Sequence, residues 1–172
     1  MVGLMGAGKS RIGRELSALL GIPFVDADDE IAQAAGCSVP DIFELYGEQA
    51  FRDVEQRVIE RLMDGPPHII ATGGGAFMNG AIRSKIASRG ISLWLKADLD
   101  ILVERTGRRG GRPLLEKADP RTVLDQLMQE RYPVYAEADI VVESKDVPIS
   151  STVEDVAEAL AAYLAHQDET KE

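Results

Sequence analysis

Eight residues near the start of the chain, Gly3-Leu4-Met5-Gly6-Ala7-Gly8-Lys9-Ser10, fill every fixed position of the pattern G-x-x-x-x-G-K-[ST]. Glycines at these positions let successive backbone N–H groups point into a concave nest for anionic oxygens, at the N-terminus of the helix that follows. Lys9 then reaches the β- and γ-phosphates of a nucleoside triphosphate, and the Ser10 hydroxyl stands where Mg²⁺ needs an oxygen ligand. A glycine-rich turn with no ligand is the simpler alternative. Against it, the motif falls in register directly before a helical pattern at Ile12, Leu16, Leu19 and Leu20, closed by Gly21 and Pro23. Gly6, Ala7, Gly8, Lys9 and Ser10 are therefore expected to bind nucleotide, with Arg11 adding charge beside them.

Four further groups stand at strand ends or in loops, where open α/β sheets place their ligands. Asp26 and Asp28 follow the short apolar run Pro23-Phe24-Val25. The first can hold Mg²⁺ or its water; the second can accept a hydrogen bond from a substrate hydroxyl and draw off its proton. Charge complementing a helix dipole is the alternative, and Asp29 and Glu30 fit it. Arg52 follows Phe51 and precedes Glu55 by one turn; it borders either the core or solvent. Gly73, Gly74 and Gly75 end a strand directly, so backbone there can come within contact distance of a ligand, or can simply turn tightly. After Arg105, the residues Arg108, Arg109, Arg112 and Lys117 face only Glu104 and Glu116. Such an aperiodic basic loop reads as a lid over a transferring phosphoryl group, the alternative being a solvated loop. Arg131 belongs with these because its helix starts just past the loop.

The elements that must position these groups alternate between strand and helix, which makes the chain α/β with parallel strands. A helix begins near Ile31 and ends at Gly36. Ser38 caps a short helix with Pro40 in its first turn, Gly47 punctuates it, and residues 48–63 carry one apolar stripe. Residues 68–72 and 91–95 read as strands, the second by alternation. Asn79 and Asp98 cap the helices after them, and Asp119-Pro120 restarts a helix to about Tyr135. Residues 140–142 form the last strand, a closing amphipathic helix follows, and residues 167–172 are expected to fray. Only Met1 and Val2 precede Gly3, although a mean strand has about 5–6 residues, so a trimmed or misassigned start is expected, the alternative being an unusually short central strand.

Length and charge limit the rest. At 172 residues one domain with its own core is expected. The single cysteine, Cys37, cannot form an internal disulfide, and no basic-then-apolar leader opens the chain, so the cytoplasm is the default location. No apolar run approaches the roughly 20 residues that cross a bilayer. A net charge of −10 argues against nucleic acid or an anionic membrane as partner, and any anion site must gather arginines locally.

As a set, the residues resemble shikimate kinase, a small relative of the nucleoside monophosphate kinases. The resemblance rests on the 3–10 loop, Phe24-Val25-Asp26-Ala27-Asp28, Gly47-Glu48-x-x-Phe51-Arg52-x-x-Glu55, Thr72-Gly73-Gly74-Gly75, Arg112-Pro113-Leu114-Leu115 and Arg131-x-x-x-Tyr135, in the family's order. It implies a five-stranded parallel sheet of order 2-3-1-4-5 flanked by helices, a kinase domain over residues 1–166, and a lid at about 107–118. It implies transfer of the ATP γ-phosphate to the 3-hydroxyl of shikimate, with ATP and Mg²⁺ required; a monomer is expected. Lys9 and Ser10 would take phosphates and Mg²⁺, Asp26 the metal, Asp28 the ring hydroxyls, and Arg52 and Arg131 the carboxylate. Gly73, Gly74 and Gly75 would lie along the acceptor, Arg112 would be the lid arginine, and Arg105 with Pro148 would sandwich adenine. A gluconate or other small-metabolite kinase and a non-catalytic nucleotide-binding regulator are the alternative functions. Arg11 departs from the family, which usually has a small or hydroxyl residue there.

Overall fold

The computed structural model describes residues 1–107 and 119–169. Helix α1 (Lys9–Leu20) begins where the glycine loop ends, and Gly8 turns the chain into it at φ 99°, a conformation that glycine adopts without a Cβ clash. Strand β1 (Phe24–Asp26) passes without a loop into α2 (Ala27–Ala35). The Asp26 side chain accepts from the Asp28 N–H and so caps α2, which starts at Ala27 rather than near Ile31. Asp28 therefore sits in the first helical turn.

Ser38 and Asp41 form a reciprocal capping box at the start of α3 (Val39–Asp64), with Pro40 in its first turn. Gly47, at φ 82° and ψ 174°, breaks this helix into the two segments that the sequence predicts. Strand β2 (Ile69–Ala71) leads through a 3₁₀ turn (Ala76–Met78) to α4 (Gly80–Arg89), capped by the Asn79 side chain. Then follow β3 (Leu93–Lys96), α5 (Leu99–Gly107), α6 (Pro120–Tyr135), β4 (Ile140–Glu143) and α7 (Ile149–Glu169). The last helix runs three residues into the segment expected to fray, and Gln167 donates to the Tyr163 hydroxyl at 3.2 Å.

Strands β1 and β2 pair in parallel, as do β3 and β4. Residues 1–4 run between the two pairs. Met1 hydrogen-bonds through its amine to the Ile70 carbonyl at 2.6 Å and through its carbonyl to the Thr72 N–H at 3.1 Å. On the other side Val2 forms a parallel bridge with Trp94. Parallel strands covered on both faces bury every side chain, which is why Leu93, Trp94 and Leu95 are all buried where alternation was expected. The main core joins Val2, Leu4, Ile12, Leu16, Leu95, Leu102 and Tyr135; a second cluster of Ile31, Ile42, Phe51 and Val58 ties α2 to α3.

Candidate active site

The strand ends and the loops that follow them surround one cleft of about 880 Å³. It brings together Gly6, Gly8, Lys9, Ser10, Arg11, Asp26, Asp28, Arg52, Gly73, Gly74, Gly75, Arg105, Arg131 and Pro148, residues drawn from almost the whole length of the chain. Ala7, within the loop, is buried and does not line the cleft. Arg112 lies outside the described residues, as do the other basic residues expected in the lid.

At one end the glycine loop is held open by local geometry. Gly3, Gly6 and Gly8 all have positive φ, and a Cβ on Gly3 would meet the Leu95 carbonyl oxygen at 2.7 Å. Lys9 folds its ammonium back to donate to the Gly3 and Leu4 carbonyls at 2.8 and 3.0 Å, which places a positive charge over the loop. Ser10 donates its hydroxyl to Asp26 Oδ2 at 2.6 Å. A hydroxyl and a carboxylate in contact beside a phosphate nest are the hard oxygen donors that Mg²⁺ takes, together with phosphate oxygens and water. Among the described residues no group of three or more His, Cys, Asp or Glu forms a metal cluster.

Arg105 borders the same end. Its guanidinium donates to Ser144 Oγ and the Lys145 carbonyl, each at 2.7 Å, and reaches the Gly6 carbonyl at 3.5 Å. These bonds tie α5 to the loop before α7, where Pro148 also lines the cleft.

At the other end, cations and carboxylates interleave. Asp28 faces the open cleft, yet crowding by the cleft walls and the neighbouring Asp26 raise its pKa above the ordinary carboxylate value, with Lys9 and Arg52 opposing. Arg52 donates to Glu55 at 2.7 Å and to Glu48 at 3.2 Å. Glu55 is fully buried; burial raises its pKa, the bond from Arg52 works against that rise, and its Oε1 has no hydrogen-bond partner. Arg131, 8% exposed, enters from α6, and its Nε likewise has no partner. The glycine triplet fits between these groups. A Cβ on Gly73 would lie 3.0 Å from both Asp28 and Glu55, and one on Gly75 only 2.5 Å from the Arg52 guanidinium. Three glycines are needed here for close approach of side chains to backbone, more than for a tight turn.

Sequence reasoning missed several participants. Ser144 carries no motif, and its part in holding Arg105 depends on a contact across 39 residues. Phe43, which stacks on Phe51 with ring centroids 4.5 Å apart, reads as an ordinary apolar helix position but lines the cleft. Glu55 was visible only through its spacing from Arg52.

Known proteins resemble this chain over most of its length. Residues 5–161 match the family model described as shikimate kinase. The shikimate kinase of Paramagnetospirillum magneticum is 54% identical over 164 residues, covering 95% of this chain and 84% of that protein. That of Bradyrhizobium diazoefficiens is 53% identical, covering 95% of this chain and 79% of its own length. Among solved structures, shikimate kinase from Acinetobacter baumannii in complex with shikimate superposes with a TM-score of 0.90 at 35% identity, over 94% of this chain and 90% of that one. A phosphate loop, a carboxylate beside it and a pair of converging arginines thus occur here on a sequence of which most matches one family, and the chain belongs to the shikimate kinase family.

Proposed function

We propose that the protein transfers the γ-phosphoryl group of ATP to the 3-hydroxyl of shikimate, giving shikimate 3-phosphate and ADP, a step of aromatic amino-acid biosynthesis. The observation that carries this reading is the polarity of the cleft. One end holds the nest, Lys9 and Ser10; Asp28, Arg131 and Arg52 gather around the glycines 73–75. An acceptor with one carboxylate and several hydroxyls matches that second group, since planar guanidinium forks bind carboxylates and a carboxylate accepts from hydroxyls.

The chain's own residues divide the work as follows. The loop N–H groups and Lys9 hold the β- and γ-phosphates and meet the charge that develops on them. Asp28 accepts the proton of the acceptor hydroxyl, whose oxygen forms the new bond to phosphorus while the bond to the β,γ-bridging oxygen breaks and its electron pair leaves with ADP. Ser10 and Asp26 would hold Mg²⁺, which when bound neutralises phosphate charge. Arg52, Arg131 and the 73–75 backbone orient the carboxylate end. Arg105 and Pro148 flank the adenine, with Arg11 at the rim of the nucleotide site.

In this reading residues 1–166 form one kinase domain, acting as a monomer in the cytoplasm, and Arg112 reaches the transferring group from a lid at about 107–118. No helix among the described residues is long and apolar enough to cross a membrane. Residues 1–4 serve as the central strand of a five-stranded sheet of order 2-3-1-4-5; their hydrogen bonds to both β2 and β3 support that order. A coupled assay for ADP release tests the function, run with shikimate, gluconate, nucleoside monophosphates and no acceptor. Turnover with shikimate alone is expected; equal release with every acceptor or with none rejects the reading.

A further inference from the structure

We infer that Tyr135 is a positioning residue for the acceptor, its hydroxyl setting the Gly74 peptide so that the Gly75 N–H is presented to shikimate. The inference rests on the functional reading above. Tyr135 is completely buried and stands behind the glycine turn, outside the lining of the cleft. Its hydroxyl donates to the Gly74 carbonyl across 61 residues of sequence. The chain has no cis peptide, so the Gly75 N–H points opposite to that carbonyl, away from Tyr135. Fixing one end of the peptide therefore aims the other.

The post that holds this peptide is rigid. Phe77, Trp94 and Tyr132 surround the Tyr135 ring with centroids 6.4, 5.8 and 6.1 Å away. Burial raises the phenol pKa to about 12, with the adjacent Arg131 guanidinium opposing, so the hydroxyl remains a donor. The same turn of α6 carries Arg131 four residues earlier, and a Cβ on Gly74 would stand 3.3 Å from the Arg131 guanidinium and 3.5 Å from the Gly3 carbonyl oxygen. One helical face thus sets both a carboxylate fork and a peptide wedged against the phosphate loop.

The test is Tyr135→Phe, which removes the hydroxyl and keeps the ring. The KM for shikimate should rise roughly tenfold, while kcat and the KM for ATP stay within about twofold. Trp94→Phe loosens the same aromatic wall without touching the hydroxyl; it should lower Tm and leave the shikimate KM unchanged. In the parent, amide exchange at Gly75 should slow when shikimate is added without nucleotide, a measurement that does not depend on any variant folding. An unchanged shikimate KM in Tyr135→Phe, equal losses for both substrates, or Gly75 exchange indifferent to shikimate would each overturn the inference. A parent that does not phosphorylate shikimate would instead overturn the functional reading, and the inference with it.

Discussion

Gly75→Ala adds one methyl group at the point where the site has least room for it. Gly75 has φ −90° and ψ −14°, which alanine adopts without backbone strain. Its Cβ, however, would lie 2.5 Å from both terminal nitrogens of Arg52 and 2.7 Å from Cζ. Ordinary contact begins near 3.5 Å, so the guanidinium must retreat by about 1 Å. A long, flexible side chain yields before backbone does, and the retreat breaks its 2.7 Å bond to Glu55. A hydrogen bond to a charged group is worth about 1.5–3 kcal/mol, so displacing the fork from its carboxylate should raise the shikimate KM roughly 10- to 150-fold. The KM for ATP should stay within about twofold, because the nucleotide end is untouched. Steady-state kinetics with each substrate varied in turn measures both. In an Arg52→Ala background the methyl has nothing to displace, and Gly75→Ala should then add less than about a twofold change. A shikimate KM near the parental value would refute the argument outright. A full additional penalty in the Arg52→Ala background would show that the methyl strikes the acceptor itself.

Lys9→Ala should lower kcat by on the order of a hundredfold or more with the fold intact, read by steady-state turnover and far-UV circular dichroism; near-parental turnover would reject the loop assignment. Asp28→Asn keeps a hydrogen-bonding side chain but cannot take a proton, so kcat should fall by about 10²–10⁴-fold, and undiminished kcat would remove Asp28 from proton transfer. In a chain whose free amine is that of Met1, burial lowers the amine pKa from 8.0 to about 5 on folding. Between those values the unfolded chain binds more protons, so stability should fall as pH drops from 8 to 5, by up to about 4 kcal/mol, with no further loss from this group below pH 5. Urea unfolding across that range, set against the same chain acetylated at Met1, isolates the contribution; parallel pH profiles for the two chains would contradict it.

The parts of this protein that were legible in the sequence are those made by neighbours in the chain. The phosphate nest depends on glycine φ angles within residues 3–8, the Ser38–Asp41 box and the Gly47 break on the rules of helix termini, and the strands on short apolar runs. Even there the reading slipped where packing overrode a local signal. The 91–95 segment looked alternating but is buried on both faces, and α2 begins at Ala27 because Asp26 caps it from the strand end. The site's members were also nameable, since a phosphate-handling enzyme must gather scarce cations and carboxylates at strand ends.

What the tertiary structure alone decided is how those members meet. Asp28 and Glu55 both press on Gly73, Ser144 holds Arg105, and Tyr135 reaches Gly74, although each contact joins residues 18 to 61 positions apart. Sequence patterns encode which face of an element is apolar, and so which elements pack. They do not encode the final ångström of approach, which depends on how many side chains and backbones fill the same space at once. That is why Glu55 could be seen as a neighbour of Arg52 but not as a fully buried carboxylate with one oxygen unpartnered, and why the need for glycine at position 75 became visible only with Arg52 pressed against it.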